Sequence, residues 1–169
     1  MALLEKREVG AAIVEDRFLR VEDDADLPEA GDVLVSLERF TSEKEALIAR
    51  PGALGVLLRP EQPVGELAKD LDKIALIALD FPVFSDGRAY SSARLLRERY
   101  GYQGQLRAVG DVLCEQIDFM LRSGFDAFEM ASEKAVEEFA RVEREIKVVY
   151  QATGDGLTTA TELRSGGTS

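Results

Sequence analysis

Residues 54–79 read LGVLLRPEQPVGELAKDLDKIALIAL, and this stretch decides the fold. Leu54–Leu58 and Ile74–Leu79 are unbroken apolar runs of strand length. Strands buried on both faces read as continuous rather than alternating hydrophobic runs, which is the habit of parallel sheets. Between them Val64, Leu67, Ala68 and Leu71 stand at i, i+3, i+4 and i+7, the spacing of one helix face. Strand, helix and strand in this order predict a βαβ unit with a right-handed crossover.

The same alternation extends in both directions. Upstream, Val33–Leu37 is an apolar run behind the Gly31-Asp32 turn signal. Ser42-Glu43-Lys44-Glu45 then has capping-box spacing, Ala46, Leu47 and Ile48 follow, and Pro51-Gly52 stops the helix. Downstream, an irregular stretch from Asp80 to Tyr90 leads to a helix that Ser91 or Ser92 can cap and that ends before Gly101. Leu106–Val109 reads as a short strand, and Asp111 as the cap of a helix carrying Leu113, Ile117, Met120 and Leu121, closed by Gly124. Phe125–Glu129 is the last strand, and Ser132 caps a final helix with Val136, Phe139, Ala140 and Ile146 on its buried side.

The predicted class is therefore α/β: a parallel sheet of about five strands alternating with helices, either a partial β/α barrel or an open doubly wound sheet. The short units after residue 104 lean toward the barrel. Residues 9–21, with Ile13, Val14, Phe18, Leu19 and Val21 around Glu15-Asp16-Arg17, read as a small N-terminal β-hairpin. A single domain over 1–152 and a disordered tail over 153–169, where periodicity gives way to Gly, Thr and Ser, complete the expectation.

Composition narrows the functional classes. With 32 acidic against 21 basic residues the formal charge is −11, which argues against nucleic-acid binding and against docking on an anionic membrane. No apolar run approaches the roughly 20 residues of a membrane span, and Met1–Lys6 lacks the pattern of a secretory signal. One cysteine, Cys114, cannot form an internal disulfide, so the cytoplasm is the expected compartment. No histidine is present, which excludes Cys–His and Ser–His catalysis and histidine ligation of a metal. There is no G-x-G-x-x-G, no P-loop and no thiol set for an iron–sulfur cluster, so no cofactor is predicted. Cys114 shares an i, i+3, i+7 line with Ile117 and Leu121 and reads as core packing.

Parallel α/β proteins bind ligands outside the carboxyl ends of their strands, and Asp80–Tyr90 is the longest segment expected there. A helix beginning at Ser91 or Ser92 would aim free backbone N–H groups at that edge. Arg39, Arg59 and Arg88 follow strands, whereas Arg107 lies inside one. A buried arginine needs an anionic partner: Asp80 or Asp111, or else a bound anion. Arg94 and Arg97, three apart, face solvent or a partner, and Tyr90 and Tyr100 read as half-buried packing residues whose hydroxyls could donate. The candidate anion- or partner-binding set is Asp80, Ser85, Asp86, Arg88, Tyr90, Ser91, Ser92, Arg94, Arg107 and Asp111. The acidic run Glu22–Asp32 reads as a solvated surface.

Two runs carry a resemblance. Residues 81–97, FPVFSDGRAYSSARLLR, continuing at 106–113 as LRAVGDVL, resemble a bacterial family catalogued as domain of unknown function 934. Its matching positions here are Asp80, Ser85, Asp86, Gly87, Arg88, Tyr90, Ser91, Arg94, Arg107, Gly110 and Asp111. Members often carry an oxidoreductase label because their genes accompany those of assimilatory sulfite reductase. The resemblance thus implies a role in sulfate or sulfite assimilation, as an accessory protein docking on the sulfite reductase hemoprotein or its electron donor. It implies no catalytic residues. Beside it stand two readings from the residues: an enzyme or sensor of a small anion (sulfite, phosphate or a phosphorylated metabolite), and a ligand-free structural module in which Arg107 pairs internally.

Overall fold

The computed structural model of the chain describes residues 1–8, 11–131, 134, 137–141 and 144. The apolar runs do become strands, and eight of them join one sheet: β1 (Ala2–Lys6), β2 (Ala11–Val14), β3 (Phe18–Arg20), β4 (Asp32–Ser36), β5 (Leu54–Leu58), β6 (Leu76–Phe81), β7 (Gln105–Gly110) and β8 (Ala127–Met130). The helices are α1 (Leu37–Ala49), α2 (Arg88–Arg94), which continues as a π-helical turn over Leu95–Arg99, and α3 (Ile117–Ser123). The sheet order is β2-β1-β8-β7-β6-β5-β4-β3. From β3 to β8 each strand lies parallel beside its successor, and β1 is antiparallel to both β2 and β8.

This order excludes the doubly wound alternative. A doubly wound sheet reverses strand order at a switch point, whereas here sequence and space run together from β3 to β8, so right-handed crossovers put every helix on the same face. That face holds the main core, in which Val33, Val35, Val56, Ile77, Leu79 and Leu106 meet Phe40, Ala93 and Ile117 of the helices. The opposite face is concave and holds a smaller core of Phe18, Leu34, Leu76, Ala78 and Val109. The sheet is curled into a half-barrel.

The chain itself enforces the curl. β2 and β3 are the two edges of the sheet, yet only Glu15, Asp16 and Arg17 connect them. Seven strand spacings of a flat sheet would cover ~34 Å, while four Cα–Cα steps reach at most ~14 Å. The interior agrees, since the Arg107 guanidinium of β7 sits 5.7 Å from the Phe18 ring centroid of β3, four strands away in sheet order.

Several sequence expectations need correction. The strands beyond the expected five are β1, β2 and β3, all before residue 21. The hairpin is not within 9–21. β2 pairs antiparallel with β1, Leu4 opposite Ile13, while β3 pairs parallel with β4, so Glu15–Arg17 is a strap between sheet edges rather than a hairpin turn. The third expected strand starts at Leu76, not Ile74, and runs through Phe81; the last is Ala127–Met130, because the Phe125 N–H is spent on the Met120 carbonyl as α3 ends. The 64–71 segment forms two 3-10 turns, Val64–Leu67 and Leu71–Lys73, rather than an α-helix.

Helix starts also move, for local reasons. Ser36, not Ser42, caps α1, accepting the Arg39 N–H at 3.0 Å, while the Ser42 hydroxyl donates to the Arg39 carbonyl inside the helix. α2 begins at Arg88, since the Asp86 carboxylate takes the Arg88 N–H at 3.1 Å; Ser91 and Ser92 lie within the helix and cap nothing. α3 begins at Ile117 behind a 3-10 turn at Cys114–Gln116, and Asp111 caps neither. Gly124 ends α3 at φ 108, the left-handed geometry that favours glycine. Residues 137–141 are helical, with Phe139 buried 6.3 Å from the Phe128 ring but Ala140 exposed. Ser132, Val136, Ile146 and the 153–169 tail lie outside the described residues. No helix among the described residues is long and apolar enough to cross a membrane.

Candidate functional site

Arg107 projects from β7 into the concave side and is 1% exposed. Its Nη1 donates to Asp16 Oδ2 at 2.7 Å, its Nη2 to Gln105 Oε1 at 3.1 Å, and Glu129 stands 3.9 Å away. The other Asp16 oxygen accepts the Phe18 N–H at 3.0 Å. One carboxylate thus fixes both the start of β3 and the arginine. Its anionic partners are internal, but they are Asp16 and Glu129, not the expected Asp80 or Asp111. Position along the strands accounts for Asp80: Arg107 is level with Ala78, whereas Asp80 pairs with Val109, two residues nearer the carboxyl edge.

The rest of the 80–111 segment lies mainly on the outer surface. Arg88 pairs with Asp86, Nη2 to Oδ2 at 2.7 Å. The Phe84 N–H donates to Asp111 Oδ2 at 2.9 Å, and Gln116 Nε2 donates to the Phe84 carbonyl. Ser85 and Ser91 are exposed and Ser92 half-buried. Tyr90 packs edge-on against Phe81 and Phe119, and burial raises its phenol pKa. Arg94 lies over the Phe119 ring at 5.5 Å. Arg97, expected to face solvent or a partner, is a structural clamp instead: it donates to the carbonyls of Tyr102, Gly104 and Gly124 and to Asp126 Oδ2. Of the ten candidates, Asp80 lines a cavity at the carboxyl edge.

That cavity, about 170 Å³, lies where β3, β4, β5 and β6 end, and Arg20, Ser36, Glu38, Arg59, Gln62 and Asp80 line it. Most of these groups are committed to one another. Arg59 pairs with Glu38 and with Glu61 at 3.0 Å, Gln62 Nε2 donates to Glu38 at 2.9 Å, and the Ser36 hydroxyl donates to Asp23. Ser36 and Glu38 also bring the N-terminal end of α1, positive in its dipole, to the rim.

The side chains of Arg20, Glu22 and Asp80 are left over, with no hydrogen bond or ion pair to another described residue. Burial raises the Asp80 pKa, with the Arg20 charge opposing it. Glu129 on the same concave side is likewise raised by burial against the pull of Arg107. An uncommitted cation and an uncommitted carboxyl facing one cavity can hold a small polar ligand by both ends. Cys114 offers no thiolate, since burial first and its Glu138 partner second push it up to about 12. Among the described residues no group of three or more Cys, Asp or Glu is placed to hold a metal ion.

Sequence reasoning found Asp80 and noted Arg59, but missed Arg20 and Ser36. The available signal was phase: Phe18 and Arg20 share one face of β3 and Leu19 the other, so Arg20 is an inward residue at a strand's carboxyl end. Reading 9–21 as a hairpin hid that position. A comparison with curated proteins gave no match. The model of a family described as a bacterial protein of unknown function, DUF934, matches residues 55–160, more than half of the chain and inclusive of Asp80–Asp111, so the chain belongs to that family.

Proposed function

We propose that the chain binds a small anion, as an enzyme or sensor, at the carboxyl mouth of the half-barrel rather than at the outer Arg88–Ser91 surface. The observation that carries this reading is Arg20, a cation whose side chain makes no hydrogen bond or ion pair with a described residue and lines a cavity at the strand ends, where β/α folds place their ligands. The N-terminal end of α1 adds positive potential, while Asp80 supplies a group able to hold or move a proton. Sulfite, phosphate and small phosphorylated metabolites are the ligands to try first. A ligand at 100 times its dissociation constant stabilises the folded chain by about 2.7 kcal/mol, so a thermal-shift panel reads binding directly. The expected result is a rise with at least one small anion that disappears in Arg20→Ala but persists in Arg88→Ala. A flat wild-type response across the panel rejects the reading.

A second reading, an accessory role on a sulfite reductase hemoprotein or its electron donor, is supported by the outer surface of the same segment. Val83, Phe84 and Phe119 are 52%, 51% and 42% exposed there, with Arg94 beside them. Exposed aromatics next to arginine are the usual composition of an interface core. Co-expression with the cognate reductase should give a complex that Phe84→Ser together with Phe119→Ser dissolves. Repeated purification of the wild-type chain alone would reject docking.

A further inference from the structure

We infer that Asp80 makes the mouth selective for ligands whose anionic oxygen lies beside an O–H or N–H donor, and excludes fully deprotonated oxyanions such as sulfate. The inference rests on the proposed binding at Arg20 and names the chemistry that binding requires. Arg20 and Asp80 line the same cavity of about 170 Å³, with no ion pair between them and no hydrogen bond from a described residue to the Asp80 carboxyl. A ligand held by Arg20 therefore meets Asp80 as well. An ionised carboxylate accepts hydrogen bonds and donates none. Sulfate or acetate beside it would set acceptor against acceptor in a partly desolvated site, and neither could satisfy the other. Hydrogen phosphate brings its own O–H, and a small amino acid its ammonium. Either can bridge the guanidinium and the carboxylate at once.

The committed neighbours reinforce this. Glu38 already accepts from Arg59 and Gln62, and Asp23 from the Ser36 hydroxyl, whereas the Asp80 carboxyl, like that of Glu22 on the same lining, accepts from no described residue. Ser36, whose proton is already given to Asp23, cannot relieve the mismatch by donating to sulfate without losing that bond. The same geometry makes selectivity depend on protonation. A protonated Asp80 is itself a donor, so discrimination relaxes as pH falls toward its titration, which burial has moved upward.

The test compares two matched pairs on the full chain at equal ionic strength: phosphate against sulfate and glycine against acetate, followed by thermal unfolding. Arg20→Ala serves as the blank for the general stabilising effect of sulfate. Phosphate or glycine should bind the wild type about tenfold or more tighter than its donor-free partner, the ratio that 1.4 kcal/mol of unmatched polar contact produces. Which pair responds tells an oxyanion from an amino acid. Asp80→Asn, whose amide donates, should remove the preference, and in the wild type the preference should shrink at acidic pH. Sulfate or acetate binding the wild type as tightly as its partner overturns the inference while leaving the anion site intact. So does an unchanged preference in Asp80→Asn. If none of the four probes shifts the wild type beyond the blank, the anion site itself falls.

Discussion

Arg107→Leu is expected to cost about 3–5 kcal/mol of stability, the range for removing one partner of a buried ion pair. The substitution fills much of the volume, so the loss measures electrostatics more than a cavity. It leaves Asp16 without its 2.7 Å partner and Glu129, already raised by burial, without its nearest cation. The sign of the pH dependence follows. With the arginine gone, the Glu129 carboxyl, which burial raises and Arg107 opposes, is further disfavoured as an anion in the folded state, so the deficit is largest at neutral pH. It narrows as pH falls and Glu129 takes up its proton, since the variant's folded state then binds that proton more readily than its unfolded one. Chemical denaturation at pH 7 and pH 4.5 checks both the size and the trend. A double-mutant cycle with Asp16→Asn should show coupling on the order of 1–3 kcal/mol, whereas strict additivity would mean that the strap is held by packing alone.

Arg97→Ala should be the next most damaging change, at about 3 kcal/mol. Its guanidinium joins three segments, the loop at Tyr102 and Gly104, the end of α3 at Gly124, and Asp126 before β8. Truncation strands three carbonyls and leaves the Asp126 carboxyl, which burial raises while Arg97 opposes the shift, without its cation. Arg97→Lys should recover less than half of the loss, because an ammonium keeps the charge but cannot present the planar fork that reaches four acceptors. Equal stability of the lysine variant and the wild type would show that charge alone matters. Arg94→Ala, three residues earlier and stacked on Phe119, is the control expected to cost well under 1 kcal/mol as a surface change.

The pair Arg94 and Arg97 shows what could be read from the chain and what could not. Helical spacing correctly placed both on one side, but which neighbour they meet depends on where α3 ends and β8 begins, and that is tertiary. Periodicity recovered β4 to β8 because parallel strands buried on both faces are written as continuous apolar runs. It failed at 64–71, where i, i+3, i+4 spacing also suits consecutive 3-10 turns. β1 was invisible for another reason: Ala2-Leu3-Leu4-Glu5-Lys6 is short, and its two partners lie at Ala11–Val14 and at Ala127–Met130. The site was legible to the extent of Asp80 and the carboxyl edge. Arg20 was not, because its inward direction depends on β3 pairing with β4 and not with β2.

The position of β1 between β2 and β8 has a consequence for how the protein is made. Strands β3 to β7 each find their next neighbour in the order in which the ribosome delivers them, so that part of the sheet can grow as synthesis proceeds. The β1–β2 hairpin is delivered first, but its place in the sheet beside β8 does not exist until more than a hundred further residues have been added. Asp16, which fixes the start of β3, lies in the strap between that hairpin and the part of the sheet made early. The return of the first-made hairpin to β8 is thus expected to come late in folding, since it closes the longest loop in the sheet.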